Sequence, residues 1–511
     1  MMDAATVLAA TNARVLRVAG DGQLSPGSLS PADLLSVVAE VCIDSRSVTR
    51  GSLFIALRGE QVDGHDYVGD ALRAGALGCI VSRVPDASLA TDAEHPSQPN
   101  VRPPRQFLFV VADPLLALQA LARYWRRCHA PEVIGVTGSI GKTTSKEIVA
   151  AVLACKWPVL KSEANFNTEI GLPLTLLRLA PEHHAAVLEM GMYGPGDIAL
   201  LAQTAEPRIG VVTNVAPIHL ARMQTLERIA RAKSELVAAL PPTGLAVLNG
   251  DDPWTRAMAE TSGVAPGLLI GTAGDCHYRA SEVTAQGLDS LALTIEAEGR
   301  RVRLRTRVPG THTVHAFLSA VAIGRAMGMS WEEVQEAVEQ VRLETRQRVL
   351  RGPERTLIID DSYNAAPLSM NAALELLRVA PGTKIAVLGD MLELGQQEEV
   401  AHRQVGERAA EVADWLIVRG QRSSWIAEGA TKRGFPSNRI VRVTSNADAV
   451  EAVRSIARPA ARPGAPTGAR TMTGARARSA EPEPDVEWSV LVKGSRGMRM
   501  EEVVQGLRGD T

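Results

Sequence analysis

The stretch that decides the fold runs from Val133 to Thr144 and reads Val-Ile-Gly-Val-Thr-Gly-Ser-Ile-Gly-Lys-Thr-Thr. Its first part is rich in β-branched residues and predicts a strand, and a helical pattern follows from Ser145 to Leu153. A strand, a glycine-bearing turn and a helix in this order form a cradle for phosphate, because backbone N–H groups and a helix N-terminus point at one spot. We therefore predict that this stretch binds a nucleotide.

The turn itself is a short variant of the phosphate-binding loop. The common spacing places a glycine five residues before Gly141, where this chain has Val136. We expect Lys142 to reach the terminal phosphates of ATP and the Thr143 hydroxyl to ligate Mg²⁺. An ordinary turn is the alternative, and the flanking strand and helix favour the nucleotide site. The residues predicted to bind ATP in this stretch are Thr137, Gly138, Ser139, Ile140, Gly141, Lys142, Thr143 and Thr144.

The composition and charge of the 511-residue chain limit the class of protein that it can be. A hydrophobic content of 45% and a charged content of 22% are typical of a soluble globular protein. A net charge of -2 argues against nucleic acid as a partner. The five cysteines are scattered and form no CxxC pair, which favours a reducing cytoplasm over a disulfide framework or a zinc site. The sequence has no signal-peptide pattern and no run of about 18 apolar residues, so we expect a cytoplasmic protein without membrane insertion.

The pattern of elements predicts an α/β protein of three domains. Residues 1–110 form a small N-terminal α/β domain, residues 111–343 a central parallel-sheet domain of the phosphate-loop ATPase type, and residues 344–511 a Rossmann-like domain. Residues 86–105 are rich in Pro, Ser, Ala and Asp, which predicts a surface loop. Residues 457–487 lack hydrophobic periodicity and predict a disordered insertion, whose arginines are partly offset by acidic residues.

Polar side chains follow two strand candidates of the central domain. One apolar strand ends at Glu189, and His219 lies just beyond a second. The carboxyl ends of parallel strands converge on a ligand crevice, so both side chains are expected to face the site of Lys142. A carboxylate in that place suits Mg²⁺. A helix cap for Glu189 and a satisfied core imidazole for His219 remain alternatives, and Lys233, on a predicted helix, is in isolation typical of a solvated charge.

Nine motifs together resemble the Mur ligase family, and the last three most resemble its dipeptide-adding member. In chain order they are Asp44-Ser45-Arg46, Thr137–Thr144, Asn165-Phe166-Asn167, Leu188–Gly191, Asn214–Leu220, Ala232-Lys233, Asp360–Ala365, Leu388–Gly395 and Val492–Arg496. The resemblance covers nearly the whole chain. It implies ATP-dependent joining of D-alanyl-D-alanine to a UDP-muramoyl tripeptide through an acyl phosphate, in peptidoglycan precursor synthesis.

The same resemblance implies roles for the matching residues. Lys142, Lys233, His219 and Arg346 would be catalytic, with Arg346 at the γ-phosphate and Asp361 at the ATP ribose or metal. Two Mg²⁺ sites are implied, with Lys233 acting as a carbamate made from its neutral amine and CO₂. The implied metal ligands are Thr143, Glu189, His219 and Lys233. The implied substrate-binding residues are Ser45, Arg46, Asn167, Asn364, Lys493, Ser495 and Arg496.

Four positions depart from the family pattern, which usually has asparagine where this chain has Thr168, Thr313, Ala316 and Ala366. These departures leave open the contacts near the nucleotide base, where His315 is a possible substitute, and the acceptor preference. A related amide ligase with another acceptor, of the folylpolyglutamate or cyanophycin type, remains an alternative. So does a nucleotide-binding relative that has lost catalysis. We expect a monomer, and the sequence does not define the third peptide residue of the substrate.

Overall fold

The computed structural model describes residues 2–18, 23–26, 29–85, 106–163, 165–218, 220–261, 267–343, 348–457 and 486–509. The predicted loop at 86–105 lies outside the described residues, as does most of the predicted insertion. The chain divides into two compact units. The first comprises Met1–Val215, Glu227–Arg279 and Ala316–Ala337, and the second Ala216–Leu226, Ala280–His315 and Val338–Thr511.

The N-terminal part of the first unit is a sheet with helices packed against it. The sheet order is β2-β1-β6-β5-β4-β3, in which β3 to β6 are parallel and β1 is antiparallel to both neighbours. Phe54, Leu72 and Leu108 are buried in its core. The elements are α1 (Ala4–Thr11), β1 (Arg14–Val18), β2 (Leu24–Pro26), α2 (Pro31–Leu34), β3 (Val41–Cys42), β4 (Leu53–Ile55), α3 (Val68–Arg73), β5 (Gly78–Val81) and β6 (Gln106–Val110).

The first unit also contains a parallel sheet in the order β12-β11-β10-β7-β9-β8. The chain adds β8 and β9 on one side of β7 and then β10 to β12 on the other. Such a reversal beside a strand creates a crevice at its carboxyl end, which is where open α/β sheets bind ligands. The strands are β7 (Glu132–Thr137), β8 (Val159–Lys161), β9 (Ala185–Glu189), β10 (Ile209–Val212), β11 (Leu245–Asn249) and β12 (Gly267–Gly271). The next strand, β13 (Tyr278–Gln286), begins in this unit, where it pairs with β12, and continues in the second unit.

The helices along this part of the chain begin and end at recognisable signals. The sequence predicts a helix over 112–127; Asp113 accepts the Leu115 and Leu116 N–H groups, so the helix instead begins at Pro114 and runs to His129. The helices are α4 (Pro114–His129), α5 (Lys142–Ala154), α6 (Gly171–Leu176), α7 (Asp197–Ala205), α8 (Leu220–Met223), α9 (Leu226–Ala238), α10 (Pro253–Thr261), α11 (Val314–Ala326) and α12 (Trp331–Gln340).

The second unit contains the antiparallel hairpin β14 (Ser290–Ala297) and β15 (Arg300–Thr306), and a sheet in the order β16-β17-β21-β18-β19-β20. Only the pair β16–β17 in this sheet is antiparallel. Its elements are β16 (Arg348–Arg351), β17 (Thr356–Asp360), α13 (Pro367–Val379), β18 (Thr383–Gly389), α14 (Glu398–Ala410), β19 (Trp415–Arg419), α15 (Ser423–Lys432), β20 (Ile440–Val443), α16 (Asn446–Ala457), β21 (Trp488–Lys493) and α17 (Glu501–Arg508).

Residues at both ends of the predicted insertion at 457–487 belong to ordered structure. Ala457 is buried as the last residue of α16. At the other end, the carboxylate of Glu487 accepts a hydrogen bond of 2.6 Å from Arg355 Nη1. The composition of the segment therefore did not predict that α16 includes Ala457 or that Glu487 pairs with Arg355.

Candidate active site

The phosphate-loop stretch joins β7 to α5. Gly141 caps α5 with a φ of 84°, and Gly138 has a φ of 149°, so both adopt a backbone conformation that favours glycine. A Cβ atom on Gly138 would lie 1.8 Å from Thr213 Oγ1. The helix begins at Lys142, three residues earlier than the predicted Ser145, so its N-terminus opens directly on the loop. Unpaired N–H groups at such a terminus stabilise an anion.

Two residues that the sequence analysis did not assign to the site hold this loop. The Asn214 side chain accepts the Ile140 N–H at 2.9 Å and donates to the Ile140 carbonyl at 2.9 Å. The Thr213 hydroxyl donates to the same carbonyl at 2.6 Å. Lys142 Nζ donates to the carbonyl oxygen of Gly138 at 2.8 Å. The residues after β10 therefore fix the backbone of the turn; the sequence signal for this was Asn214, a polar residue at a strand end that also opens one of the family motifs.

Glu189, Thr143 and Asn167, predicted from separate motifs, lie together. Glu189 is the last residue of β9 and is 4% exposed. Its Oε2 accepts the Thr143 hydroxyl at 2.8 Å, and its Oε1 accepts Asn167 Nδ2 at 3.0 Å. The carboxylate accepts hydrogen bonds from two side chains rather than from backbone N–H groups, which overturns the alternative of a helix cap.

A hydroxyl and a carboxylate this close are hard oxygen donors of the kind that Mg²⁺ prefers. Among the described residues, no group of three or more His, Cys, Asp and Glu side chains could hold a metal ion. The Thr143 hydroxyl and the Glu189 carboxylate would nevertheless supply two oxygen donors suited to Mg²⁺. His219 and Arg346, predicted as metal ligand and γ-phosphate contact, lie outside the described residues.

Lys233 is not the solvated charge that an isolated helix lysine suggests. It lies on α9 and is 1% exposed, with Met192 Sδ 3.9 Å from Nζ. Burial lowers the pKa of Lys233 well below its usual value, and the nearby positive charge of Lys142 lowers this pKa further. The structure thus brings Lys233 close to the phosphate loop with its neutral amine favoured.

The motif at Asp44 forms a 3-10 turn over Ser45–Ser47 in the N-terminal part. Asp44 Oδ2 accepts Arg46 Nη2 at 2.7 Å, and the Arg46 side chain is otherwise exposed. This hydrogen bond from Arg46 lowers the pKa of Asp44 to about 2, so the carboxylate stays charged and orients the guanidinium over the whole physiological range. Arg46 is therefore held by Asp44 with most of its side chain exposed to solvent.

In the second unit, Asp361 and Lys493 form a buried ion pair. Lys493 Nζ donates to Asp361 Oδ2 at 2.5 Å and to the Asn364 carbonyl at 2.8 Å. The guanidinium carbon of Arg496 lies 5.2 Å from the Tyr363 ring centroid, and the backbone N–H of Arg496 donates to Asn364 Oδ1 at 3.4 Å. The ends of β17 and β21 are thereby joined, and the ammonium of Lys493 is used in holding the Asp361–Asn364 turn.

The loop after β18 is held by a serine and a histidine. Ser495 Oγ accepts the Leu392 N–H at 2.8 Å. His402, on α14, accepts the Met391 N–H at Nε2 (2.9 Å), which leaves Nδ1 to donate to the Glu398 carbonyl at 2.6 Å. Burial lowers the pKa of His402 below its usual value. Both ring nitrogens are committed in the neutral form, and protonation would replace the Nε2 acceptor with a donor.

We expect His402 to make stability depend on pH. As the pH falls below about 6.5, an unfolded chain binds a proton at this histidine before the folded chain does, so the free energy of unfolding decreases toward acid. The slope from one proton is at most about 1.4 kcal/mol per pH unit. Urea midpoints between pH 8 and pH 5.5 measure it, with the wild type falling more steeply than His402→Gln. Parallel curves for the two proteins would contradict this role.

Comparison with known proteins places these features in a family. Three models match consecutive parts of the chain: the Mur ligase family catalytic domain at 37–126, the Mur ligase middle domain at 136–324, and the Mur ligase glutamate ligase domain at 341–462. The UDP-N-acetylmuramoyl-tripeptide–D-alanyl-D-alanine ligase of Bacillus subtilis (strain 168) is 33% identical over 92% of this chain and 93% of its own length. The chain belongs to the Mur ligase family.

Solved structures agree with this assignment. MurF from Acinetobacter baumannii matches this Mur ligase with a TM-score of 0.81 at 27% identity, covering 99% of this chain and 98% of its own. MurF ligase from Thermotoga maritima in complex with ADP matches with a TM-score of 0.73 at 27% identity, covering 93% and 98%. The predicted α/β fold with three domains is confirmed. In the described part of this Mur ligase, no helix is both long and apolar enough to cross a membrane.

Proposed function

We propose that this Mur ligase uses ATP to join D-alanyl-D-alanine to UDP-N-acetylmuramoyl-tripeptide in peptidoglycan precursor synthesis. The observation that supports it most is the loop between β7 and α5 with Thr143, Glu189 and Asn167 joined beside it. Relatives with this activity in their names match along most of the chain, and one neighbour was solved with ADP. Because the relatives cited above share the dipeptide acceptor, a folylpolyglutamate-like acceptor is the weaker candidate.

The chemistry has two steps and needs no protein nucleophile. A substrate carboxylate oxygen attacks the γ-phosphorus of ATP, the bond to the bridging oxygen breaks, and ADP and an acyl phosphate form. The neutral amine of D-alanyl-D-alanine then attacks the acyl carbon, the amine loses its proton, and phosphate leaves from the tetrahedral intermediate. Positioning and neutralisation of charge supply most of the catalysis in such a phosphoryl transfer.

Residues of the first unit supply that positioning. The N-terminus of α5 and Lys142 neutralise phosphate charge, and Thr143 and Glu189 would hold Mg²⁺, which would supply further neutralisation of the phosphate charge. The fixed turn at Gly138 keeps the backbone N–H groups aimed at one point. His219 and Arg346 retain their proposed roles as metal ligand and γ-phosphate contact.

Lys233 is proposed to act as a carbamate. Its neutral amine attacks CO₂, a C–N bond forms, and a proton leaves, so a buried base becomes an anion with two oxygen donors. Lys142 disfavours the charged ammonium of Lys233 but would attract the carbamate anion. A carbamate at this position supplies the second Mg²⁺ site with an oxygen ligand.

The remaining residues are assigned to the two peptide substrates. Ser45 and Arg46 bind the UDP part, since Arg46 is held in place and exposed. Asn364, Ser495 and Arg496 line the amino-acid side. Asp361 would contact the ATP ribose or metal and Lys493 the amino-acid side, and their ion pair also fixes the turn that bears Asn364. We propose that the enzyme works as a cytoplasmic monomer.

The test is ADP release with UDP-muramoyl tripeptides and a panel of amines. We expect release to depend on both the tripeptide and D-alanyl-D-alanine, with L-glutamate, the acceptor of the alternative, at least about 100-fold less effective in kcat/KM, because unpaired polar groups in a specific pocket cost this much or more. Tripeptides ending in lysine and in diaminopimelate, tested side by side, define the third residue. Equal rates with glutamate would overturn the proposed acceptor, and no ADP release with any pair would support an inactive relative.

A further inference from the structure

Lys146, on the buried face of α5, is a charged group that the proposed reaction does not use. It is 0% exposed and lies one turn after the phosphate-binding Lys142. Its Nζ donates to the Ser162 carbonyl at 2.6 Å and lies 2.9 Å from Glu147 Oε1. Burying an ammonium costs several kcal/mol unless it is paired and hydrogen-bonded, so a lysine in this position must have specific partners.

Ser162, whose carbonyl accepts the hydrogen bond from Lys146, also contacts Glu189. Ser162 is 1% exposed and follows β8 directly. Its Oγ accepts the Glu189 N–H at 3.1 Å, and its own N–H donates to the Val187 carbonyl at 3.1 Å. The Ser162 backbone is thus fixed on both sides, by β9 through its N–H and by Lys146 through its carbonyl.

The same segment leads to Asn167, which orients the other end of Glu189. Asn167 Nδ2 donates to Glu189 Oε1, and the Asn167 carbonyl accepts the Gly191 N–H at 2.9 Å. Contacts from Ser162 and Asn167 therefore fix both the backbone and the carboxylate of Glu189. Lys146 anchors the chain at the start of this segment.

We propose that Lys146 is a positioning residue for the carboxylate of Glu189, and through it for Mg²⁺ and the nucleotide phosphates. This inference rests on the proposed function, in which Glu189 holds the cation. Groups that orient metal-binding carboxylates typically change metal affinity or activity by about 10- to 100-fold when they are replaced. Lys146→Met preserves most of the side-chain length and removes both the donor and the charge.

Lys161 offers a matched control. It donates to the other oxygen of Glu147, at 2.5 Å, but it is half-exposed and has no contact with the Ser162 carbonyl. Burial would raise the pKa of Glu147, but the hydrogen bonds from Lys161 and Lys146 together outweigh burial and lower it. Lys161→Met therefore removes an ion pair of Glu147 and leaves the proposed path to Glu189 intact.

The experiment is calorimetric titration of ADP at increasing Mg²⁺, which reports binding without turnover. The measured quantity is the Mg²⁺ concentration at which half of the Mg²⁺-dependent gain in ADP affinity is reached. We expect this concentration to be about 10-fold or more higher in Lys146→Met than in the wild type, and within about twofold of the wild type in Lys161→Met. The KM for D-alanyl-D-alanine should be unchanged in both. Ser162→Ala removes only the acceptor of the Glu189 N–H and should also raise the Mg²⁺ concentration required. If Lys146→Met does not fold, the result for Ser162→Ala decides whether the Ser162 segment positions Glu189.

The outcomes separate this inference from the proposed function. If wild-type ADP binding does not respond to Mg²⁺, the metal role of Glu189 itself is wrong. If the wild type responds and Lys146→Met and Ser162→Ala match it, Glu189 holds the cation without help from Lys146. Equal shifts in Lys146→Met and Lys161→Met would show a general effect of Glu147 and would also overturn the proposal.

Discussion

Replacing Lys142 with alanine should reduce ADP release at saturating substrates by about 10³-fold, because one preorganised charge at a transferring phosphoryl group is worth about that much. The chain should remain folded. Lys142 Nζ bonds to the loop carbonyls of Gly138 and Ser139, but Thr213 and Asn214 hold the same loop independently. The measurement is a coupled assay of ADP release, together with the unfolding midpoint.

The control for this variant is Lys156→Ala. Lys156 lies just after α5, where its ammonium bonds to the Gly328 carbonyl and to Glu333. Its loss removes a lysine from the same region without touching the phosphate loop, so turnover should stay within about twofold, as surface ion pairs contribute little. Wild-type turnover in Lys142→Ala would show that the loop is not where phosphate is transferred.

Lys233→Ala is expected to lower kcat by about 100-fold or more, as the loss of a metal-binding group does. If the missing group is a carbamate, a short carboxylate can enter the space left by the side chain and supply the two oxygens. Acetate or propionate at millimolar concentrations should therefore restore part of the activity of Lys233→Ala and leave the wild type unchanged. The assay is ADP release across a carboxylate series of increasing length.

Arg231→Ala is the control for the Lys233→Ala variant. Arg231 lies two residues earlier on α9 and is exposed. It should retain its activity and show no response to carboxylates. Full activity of Lys233→Ala without any additive would exclude the carbamate, and loss without rescue by any carboxylate would assign Lys233 another role.

Local patterns made much of the first unit predictable. The strand, the glycine turn and the helix around Gly141 are contiguous, so neighbouring residues suffice to indicate them. Glu189 was predictable as a strand-end carboxylate because parallel strands deliver their carboxyl ends to one edge. Thr143 was predictable from the phosphate-loop pattern and Asn167 only from the family resemblance; their hydrogen bonds to Glu189 span 46 and 22 positions and are not local.

Contacts between residues far apart in the sequence could not be predicted from local sequence patterns. The burial of Lys233 depends on what packs against α9, and helical periodicity defines a face but not its environment. Asn214 and Ile140 are 74 positions apart, and Lys493 and Asp361 are 132 apart, so pairing these residues requires the sheet order. Lys146 is a similar case, since a lysine in a helix is ordinarily solvated and only tertiary packing makes it a buried donor.

The position of β21 has a consequence for biosynthesis. It comes after every other described strand in the chain, yet it lies between β17 and β18 in the sheet. While the ribosome is still translating the residues before 488, the edges of β17 and β18 that β21 will cover are unpaired, and such edges attract strands of other chains. A prematurely terminated product lacks both this strand and Lys493, so it exposes two edges and a buried carboxylate without its cation.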